Sequence, residues 1–167
     1  MQRVMIIGIS GAGKSTLGRT LNAKLGLPAY HLDNIYHLPG WVARPNADVQ
    51  ADFDAIAARE SWVVDGNYRR LSGALQQRAD VIVFLDFGRV FAIRQVIQRW
   101  AMHRLGLRKR KDLGDGFEEK LSKGFLPWVW NWRRDNRPNW LDTLEPFQDK
   151  VKTFYTRRDV NRWLETL

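Results

Sequence analysis

The sequence predicts an α/β fold in which a five-stranded parallel sheet forms the middle of three layers, between helices. Short apolar runs of strand length alternate with segments of helical periodicity along the 167 residues, and this alternation is typical of parallel sheets. The segment IIGISGAGKSTLG, residues 6–18, places glycines, a lysine and hydroxyl side chains between an apolar strand and an amphipathic helix. We therefore expect one domain, residues 1–167, that begins with a strand–loop–helix unit.

Five strands are predicted from short apolar runs. They are residues 3–9, LPAYHLD ending near Asp33, WVVDG ending at Asp65, DVIVFLD ending at Asp86, and KVKTFYT at residues 150–156. The fourth run is apolar without alternation, as expected for a strand that helices cover on both faces.

Segments of helical periodicity lie between these strands. Residues 14–25 carry a leucine stripe that stops at Gly26, and Asn46 is suited to cap a second helix. Further helices are predicted around residues 71–75, 90–105, 117–134 and 158–167, with a basic loop at 106–116. In the helix at 117–134 we expect Trp130 to be exposed among Arg133 and Arg134, opposite a buried stripe formed by Leu121, Phe125, Trp128 and Trp132.

The loop after the first strand matches the pattern G-x-x-x-x-G-K-[ST]. Its glycines let backbone N–H groups face one spot, and the following helix adds the positive end of its dipole, so the loop favours an anion. Lys14 is expected to reach the β- and γ-phosphates of ATP, and Ser15 to bind Mg²⁺. The alternative is an ordinary glycine-rich turn with a surface lysine. The predicted nucleotide-binding residues are Gly8, Ser10, Gly11, Ala12, Gly13, Lys14, Ser15 and Thr16.

A triphosphate site needs a second carboxylate for the metal, at the carboxyl end of a neighbouring strand. Asp65 and Asp86 both end predicted strands. Asp65 is preferred, because Gly66 leaves backbone exposed beside the site. Asp86 is the alternative, and either residue could instead serve in a turn or a cap.

Composition excludes several classes of protein. The chain has no cysteine, and no apolar run approaches the roughly 18 residues that a membrane span needs. The start MQRVMIIGIS becomes glycine-rich too early for a signal peptide. We therefore expect a cytoplasmic protein without disulfides, thiolate metal sites or a membrane partner.

The formal charge of +9 is concentrated between Arg99 and Arg137, where 11 Lys and Arg stand against five Asp and Glu. We interpret residues 104–137 as a short, helical, basic lid whose arginines stabilise a transferring phosphoryl group. Arg99 and Arg133 are the predicted catalytic arginines. A solvated basic face is one alternative, and a groove that grips nucleic acid with its basic and aromatic side chains is the other.

GISGAGKST together with VVDGNYRR resembles the adenylate-kinase-like group of P-loop kinases. The resemblance implies the P-loop NTPase fold, a metal-side role for Asp65 and an acceptor-binding role for Arg69. The longer pattern HLDNIY…GW, WVVDGNY, LD and LPWVWNW resembles, over nearly the whole chain, the bacterial proteins labelled DNA topology modulation or FlaR-like.

The chain departs from adenylate kinase where the acceptor would bind. YHLD stands in place of a Thr-Gly-Asp step, and Tyr68 replaces a proline before Arg69. Asp33 is similar in position to the acidic residue with which shikimate-kinase-like enzymes hold a substrate hydroxyl, and a cap or turn role is its alternative. His31 and His37 are expected to be packing or surface residues rather than metal ligands.

The remaining prediction for the nucleotide concerns its base. Arg94 is expected to stack on the adenine, with Arg157 or Arg158 behind it. Taken together, these features indicate an ATP- and Mg²⁺-dependent phosphotransferase that acts on a small acceptor such as a nucleotide or a hydroxyl-bearing metabolite. The competing hypothesis is a P-loop ATP-binding protein that binds nucleic acid. The sequence does not indicate an oligomeric state.

Overall fold

A computed structural model describes residues 1–105 and 123–167 of the chain. Its seven strands are β1 (Arg3–Gly8), β2 (Ala29–His31), β3 (His37–Leu38), β4 (Val42–Ala43), β5 (Trp62–Asp65), β6 (Val81–Leu85) and β7 (Val151–Phe154). Its helices are α1 (Lys14–Leu25), α2 (Leu32–Tyr36), α3 (Asn46–Ala57), α4 (Gly73–Arg78), α5 (Arg89–Arg104), α6 (Phe125–Asp135), α7 (Arg137–Leu144), a 3-10 helix (Glu145–Lys150) and α8 (Arg157–Glu165).

The predicted five-stranded parallel sheet is confirmed. Its strand order is β2-β5-β1-β6-β7, and every neighbouring pair is parallel. Val4 to Ile7 of β1 are fully buried, and successive residues of a strand face opposite sides of the sheet, so both faces are covered. Because parallel strands end at one edge, Gly8, His31, Asp65 and Asp86 lie along the same edge of the sheet.

The region after β2 differs from the prediction. The strand ends at His31, and Asp33 lies on the short helix α2 rather than at a strand end. A small antiparallel hairpin of β3 and β4 follows, where only a loop was expected. Asn46 is the first residue of α3 and makes no capping bond, and the Pro45 carbonyl instead accepts from the N–H groups of Asp48 and Val49.

The predicted tryptophan stripe is partly wrong. Trp132 is buried, but Trp128 is 41% exposed and Val129 is buried in its place. Residues spaced i, i+3 and i+4 share a helix face, so from residue 125 the buried stripe could continue through either 128 or 129. The contact of α6 with α5 buries residue 129. Trp130 is 44% exposed, which confirms its predicted exposure.

The second half of the predicted lid begins with α6, and its helical character is confirmed from residue 125. Leu121, the loop at 106–116 and the basic residues between 106 and 122 lie outside the described residues. The helix α7, with Trp140 and Leu144 buried, was not predicted. None of the helices in the two described ranges is long and apolar enough to cross a membrane.

Candidate active site

The loop between β1 and α1 is closely packed on its neighbours. Gly8 and Gly11 have φ angles of +141° and +87°. A Cβ on Gly8 would lie 2.4 Å from the Leu85 carbonyl oxygen, and one on Gly11 would lie 2.5 Å from that of Ala92. Only glycine fits both the backbone conformation and this spacing. The end of β6 and the start of α5 therefore hold the loop in its curled shape.

Lys14 is folded back over this loop. Its Nζ donates to the carbonyl oxygens of Gly8 at 2.9 Å and Ile9 at 3.3 Å. Gly13, in the left-handed conformation, precedes it, and α1 starts at Lys14 itself. A lysine amine and a helix N-terminus at one concave turn are the groups that a phosphate chain requires, so the loop fits the triphosphate of ATP.

Ser15 and Asp65 come together beside the loop, as expected for a metal site. Ser15 Oγ donates to Asp65 Oδ2 at 2.8 Å, and Asp65 is 7% exposed. Hydroxyl and carboxylate oxygens are ligands that Mg²⁺ prefers. Within residues 1–105 and 123–167 no group of three or more acidic, histidine or cysteine side chains could enclose a cation. A metal here would therefore be held by these two side chains together with phosphate and water.

His31 contacts a residue of the site, where only a packing or surface role was expected; that it is not a metal ligand stays a prediction. In the parallel register His31 lies opposite Asp65, and its Nδ1 hydrogen-bonds Asp65 Oδ1. The sequence carries part of this signal, since both residues lie on predicted strands, but the strand order was needed to make β2 and β5 neighbours. His31 is thus a member of the site.

Asn67 and Tyr68, which follow Asp65 in the chain, also support the site. Asn67 accepts from the Gly8 N–H at 3.1 Å and donates to the Gly8 carbonyl at 2.7 Å. The Tyr68 hydroxyl donates to Asp33 Oδ1 at 2.7 Å. Burial, and then the Asp33 carboxylate, raise the pKa of Tyr68 well above its ordinary value, so its hydroxyl stays a donor. The segment that follows β5 therefore connects the phosphate loop to Asp33.

Arg69 directly follows Tyr68 in the chain. Its Nη1 donates to Thr143 Oγ1 at 3.2 Å. Among the described residues its partner is a neutral hydroxyl rather than a carboxylate. Its predicted contact with the acceptor stays a prediction.

Asp86 has a different environment from Asp65. Its side chain has no exposed surface, and Oδ2 lies 2.8 Å from both Nε and Nη2 of Arg137. Arg133 Nε lies 3.6 Å from Oδ1. Because the two guanidiniums compensate the charge of Asp86, it is poorly suited to bind a cation. The hydrogen bond that Arg137 donates to the Asp86 carboxylate raises the pKa of Arg137.

The predicted arginines occupy three separate places. Arg133 reaches Asp86, and Arg99 lies half-buried on α5, where contact with a phosphoryl group stays a prediction. Contact of Arg94 with the adenine also stays a prediction. Ala92 and Val96 lie against Gly11 of the loop, and Arg94 is about 200° around the helix from each of them.

Arg157, the second residue predicted near the base, has contacts on both α5 and the loop. Its guanidinium lies over the Phe91 ring at 5.5 Å, and its Nη2 donates to Gln95 at 3.1 Å. The same Nη2 lies 4.0 Å from a Cβ built on Gly13. Arg157 therefore lies near the phosphate loop and packs on Phe91 and Gln95 of α5.

Trp130 is also placed differently from the prediction. Its ring packs under the guanidinium of Arg89 at 4.3 Å, whereas Arg134 pairs with Asp135. Trp130 and Arg94 line one open groove with Val90, Ile93 and Ile97. This groove is on α5, away from the phosphate loop.

No protein-family model matches the chain, and neither does any curated protein. Solved structures do. A shikimate kinase from Acinetobacter baumannii in complex with shikimate superposes with a TM-score of 0.63 at 14% identity, over 99% of this chain and 91% of that one. A shikimate kinase from Bacteroides thetaiotaomicron gives 0.61 at 16% identity, over 99% and 95%.

A gluconokinase from Sinorhizobium meliloti 1021 is similar with a TM-score of 0.53 at 19% identity, over 93% of this chain and 83% of that chain. At such identities the likeness concerns the fold. The resemblance to the topology modulation group stays a prediction. The chain has the P-loop NTPase fold of adenylate-kinase-like type, with the loop at residues 8–15 at the carboxyl edge of its sheet.

Proposed function

We propose that the protein is an ATP- and Mg²⁺-dependent phosphotransferase that acts on a small hydroxyl-bearing acceptor. The observation that carries the proposal is the Ser15–Asp65 contact beside Lys14. Ser15 and Asp65 are 50 residues apart in sequence, and their contact places two oxygen ligands suited to Mg²⁺ beside a phosphate loop that carries a lysine. A plain glycine-rich turn does not need this combination.

Each group has a role in positioning and in electrostatic stabilisation, which account for most catalysis of phosphoryl transfer. Lys14 and the amides of residues 8–16 hold the phosphates, and Ser15 and Asp65 hold the metal. Bound Mg²⁺ would supply positive charge to the transferring group. Arg99 and Arg133 are the candidate cations above it.

Asp33 and Arg69 form the acceptor side. Asp33 Oδ1 is held by Tyr68, and its carboxylate can orient an acceptor hydroxyl and take its proton. Arg69 can hold an anionic group of the acceptor. The similar structures are titled shikimate kinase, in one case with shikimate bound, and gluconokinase, which supports an acceptor that carries hydroxyls.

The rival, a nucleic-acid-binding protein, is less well supported. It requires solvated cations on the segment that returns to the sheet. Arg137 instead pairs with the buried Asp86, and Arg134 pairs with Asp135. The lid at 104–137 and the cytoplasmic location stay predictions.

The test is ADP release with Mg·ATP and a panel of nucleosides, nucleotides, sugars, polyols and hydroxy acids, with DNA and RNA as further additions. We expect stimulation by one class of small acceptor. Stimulation by DNA or RNA alone would select the rival.

Lys14→Ala should lower turnover at least about 100-fold, because a group that meets the transferring charge is worth on the order of 3 kcal/mol. Lys24→Ala is the matched control, since Lys24 lies at the other end of α1 and bonds the Leu164 carbonyl. Circular dichroism checks that both variants fold. Near-normal turnover of folded Lys14→Ala would refute the assignment of this loop.

A further inference from the structure

Two carboxylates at the carboxyl edge of the sheet have partners of different chemistry. Asp86 is held by Arg137 and Arg133, and a guanidinium is always charged. Asp65 is held by the imidazole of His31 and the hydroxyl of Ser15. An imidazole can donate a hydrogen bond without bringing a permanent charge. No guanidinium therefore pairs with Asp65 among these contacts, while both of its oxygens are held.

The contact is set by the fold rather than by a flexible side chain. His31 and Asp65 are opposite each other in the β2–β5 register. His31 Nδ1 bonds Oδ1 and leaves Oδ2 facing Ser15 Oγ at 2.8 Å. Because a carboxylate accepts, His31 donates from Nδ1. Its side chain is 16% exposed, which limits the water that could replace this bond.

We infer that His31 is a positioning residue for the metal site, which holds Asp65 Oδ1 so that Oδ2 and Ser15 Oγ are directed together at the cation. The inference rests on the proposed function, since it assigns the metal to Asp65 and Ser15. His31 itself does not contact the metal or the nucleotide. Removing a group that orients a metal ligand typically lowers metal affinity by about 10- to 100-fold.

Three variants separate this role from simple packing. His31→Leu fills the space without a donor, and His31→Asn places an amide N–H near the position of Nδ1. His103→Leu is the matched control, because His103 lies in the last turn of α5, remote in sequence from the site. The probes are Mn²⁺, followed by electron paramagnetic resonance, and ADP, titrated calorimetrically with Mg²⁺ and with EDTA.

We expect His31→Leu to bind Mn²⁺ in the presence of ADP about 10- to 100-fold more weakly than wild type, with ADP affinity in EDTA unchanged within about threefold. His31→Asn should recover most of the metal affinity, and His103→Leu should match wild type. If His31→Leu does not fold, His31→Val takes its place.

Unchanged Mn²⁺ affinity in folded His31→Leu would overturn the inference. So would equal losses of ADP affinity with and without metal, which would indicate a packing role. Failure of the proposed function gives a different result, in which wild type binds metal with ADP as described but no acceptor in the panel stimulates ADP release.

Discussion

Neutralising Asp86 and Asp65 in turn tests whether the partners of a carboxylate decide its role. The two residues follow or end the strands on either side of β1, and either could be the metal ligand by sequence. Asp86→Asn should lower the stability of the fold and leave the Mg²⁺ requirement intact. Asp65→Asn should weaken the response to Mg²⁺, because a neutral amide is a poorer metal ligand than a carboxylate.

The size of the Asp86 effect follows from its contacts. Arg137 Nε donates to Asp86 Oδ2 at 2.8 Å, and Nη2 lies 2.8 Å from the same oxygen in an ion pair; the Arg137 side chain is 28% exposed against 0% for that of Asp86. A hydrogen bond to a charged group contributes about 1.5–3 kcal/mol, and breaking a buried pair costs about 3–5 kcal/mol. Since Asn keeps one acceptor and Arg137 is partly solvated, we expect a loss of about 2–3 kcal/mol in the free energy of unfolding.

For a chain of this size the loss corresponds to a fall in melting temperature of roughly 4–12 °C. Thermal and urea unfolding followed by circular dichroism measure it, and ADP release against Mg²⁺ concentration measures the metal response. A variant Asp86→Asn that melts like wild type yet needs far more Mg²⁺ would show that the two carboxylates have been assigned the wrong roles.

Two further predictions concern single side chains. Tyr68→Phe removes the donor to Asp33 but keeps the ring packed on Tyr36. It should lower kcat/KM for the acceptor about tenfold or more, since a bond to a charged group is lost; equal losses in ATP affinity would show a general defect instead. Asp80 accepts from the Gln2 and Arg3 backbone and from the Arg3 side chain, and although burial opposes them, these bonds lower its pKa to about 2. Because the pKa of Asp80 is lower in the folded state than in the unfolded state, its carboxylate stabilises the fold above the unfolded pKa, and this stabilisation is lost as the pH falls towards the folded pKa. Wild type should therefore be more stable than Asp80→Asn by about 1 kcal/mol near neutral pH, since the pair is partly exposed. Urea unfolding should show this difference disappear between about pH 4 and pH 2. A gap that is constant across this range would contradict the assignment.

The phosphate loop and the sheet could be predicted because their determinants are local. The glycines, Lys14 and Ser15 are contiguous, and each strand of the main sheet is a continuous apolar run. Such patterns state what the backbone does over a few residues. The sequence also predicts that the carboxyl ends of these strands lie together, since parallel strands end at one edge of the sheet.

The sequence by itself therefore determined that Asp65, Asp86 and the loop share an edge, but not which partner each carboxylate has. That choice depends on strand order and on side chains far away in sequence. His31 reaches Asp65 because β2 pairs with β5, and Arg137 reaches Asp86 from the start of α7, 51 residues further along the chain.

The same reason explains the misplaced aromatic and basic residues. Helical periodicity allows more than one stripe on α6, and contact with α5 buried Val129 rather than Trp128. Arg89 rather than Arg134 packs on Trp130, and this pairing likewise depends on how α6 lies against α5. Periodicity gives the faces of a helix, but long-range packing selects the face that is buried, because the burial energy belongs to the pair of elements and not to either one.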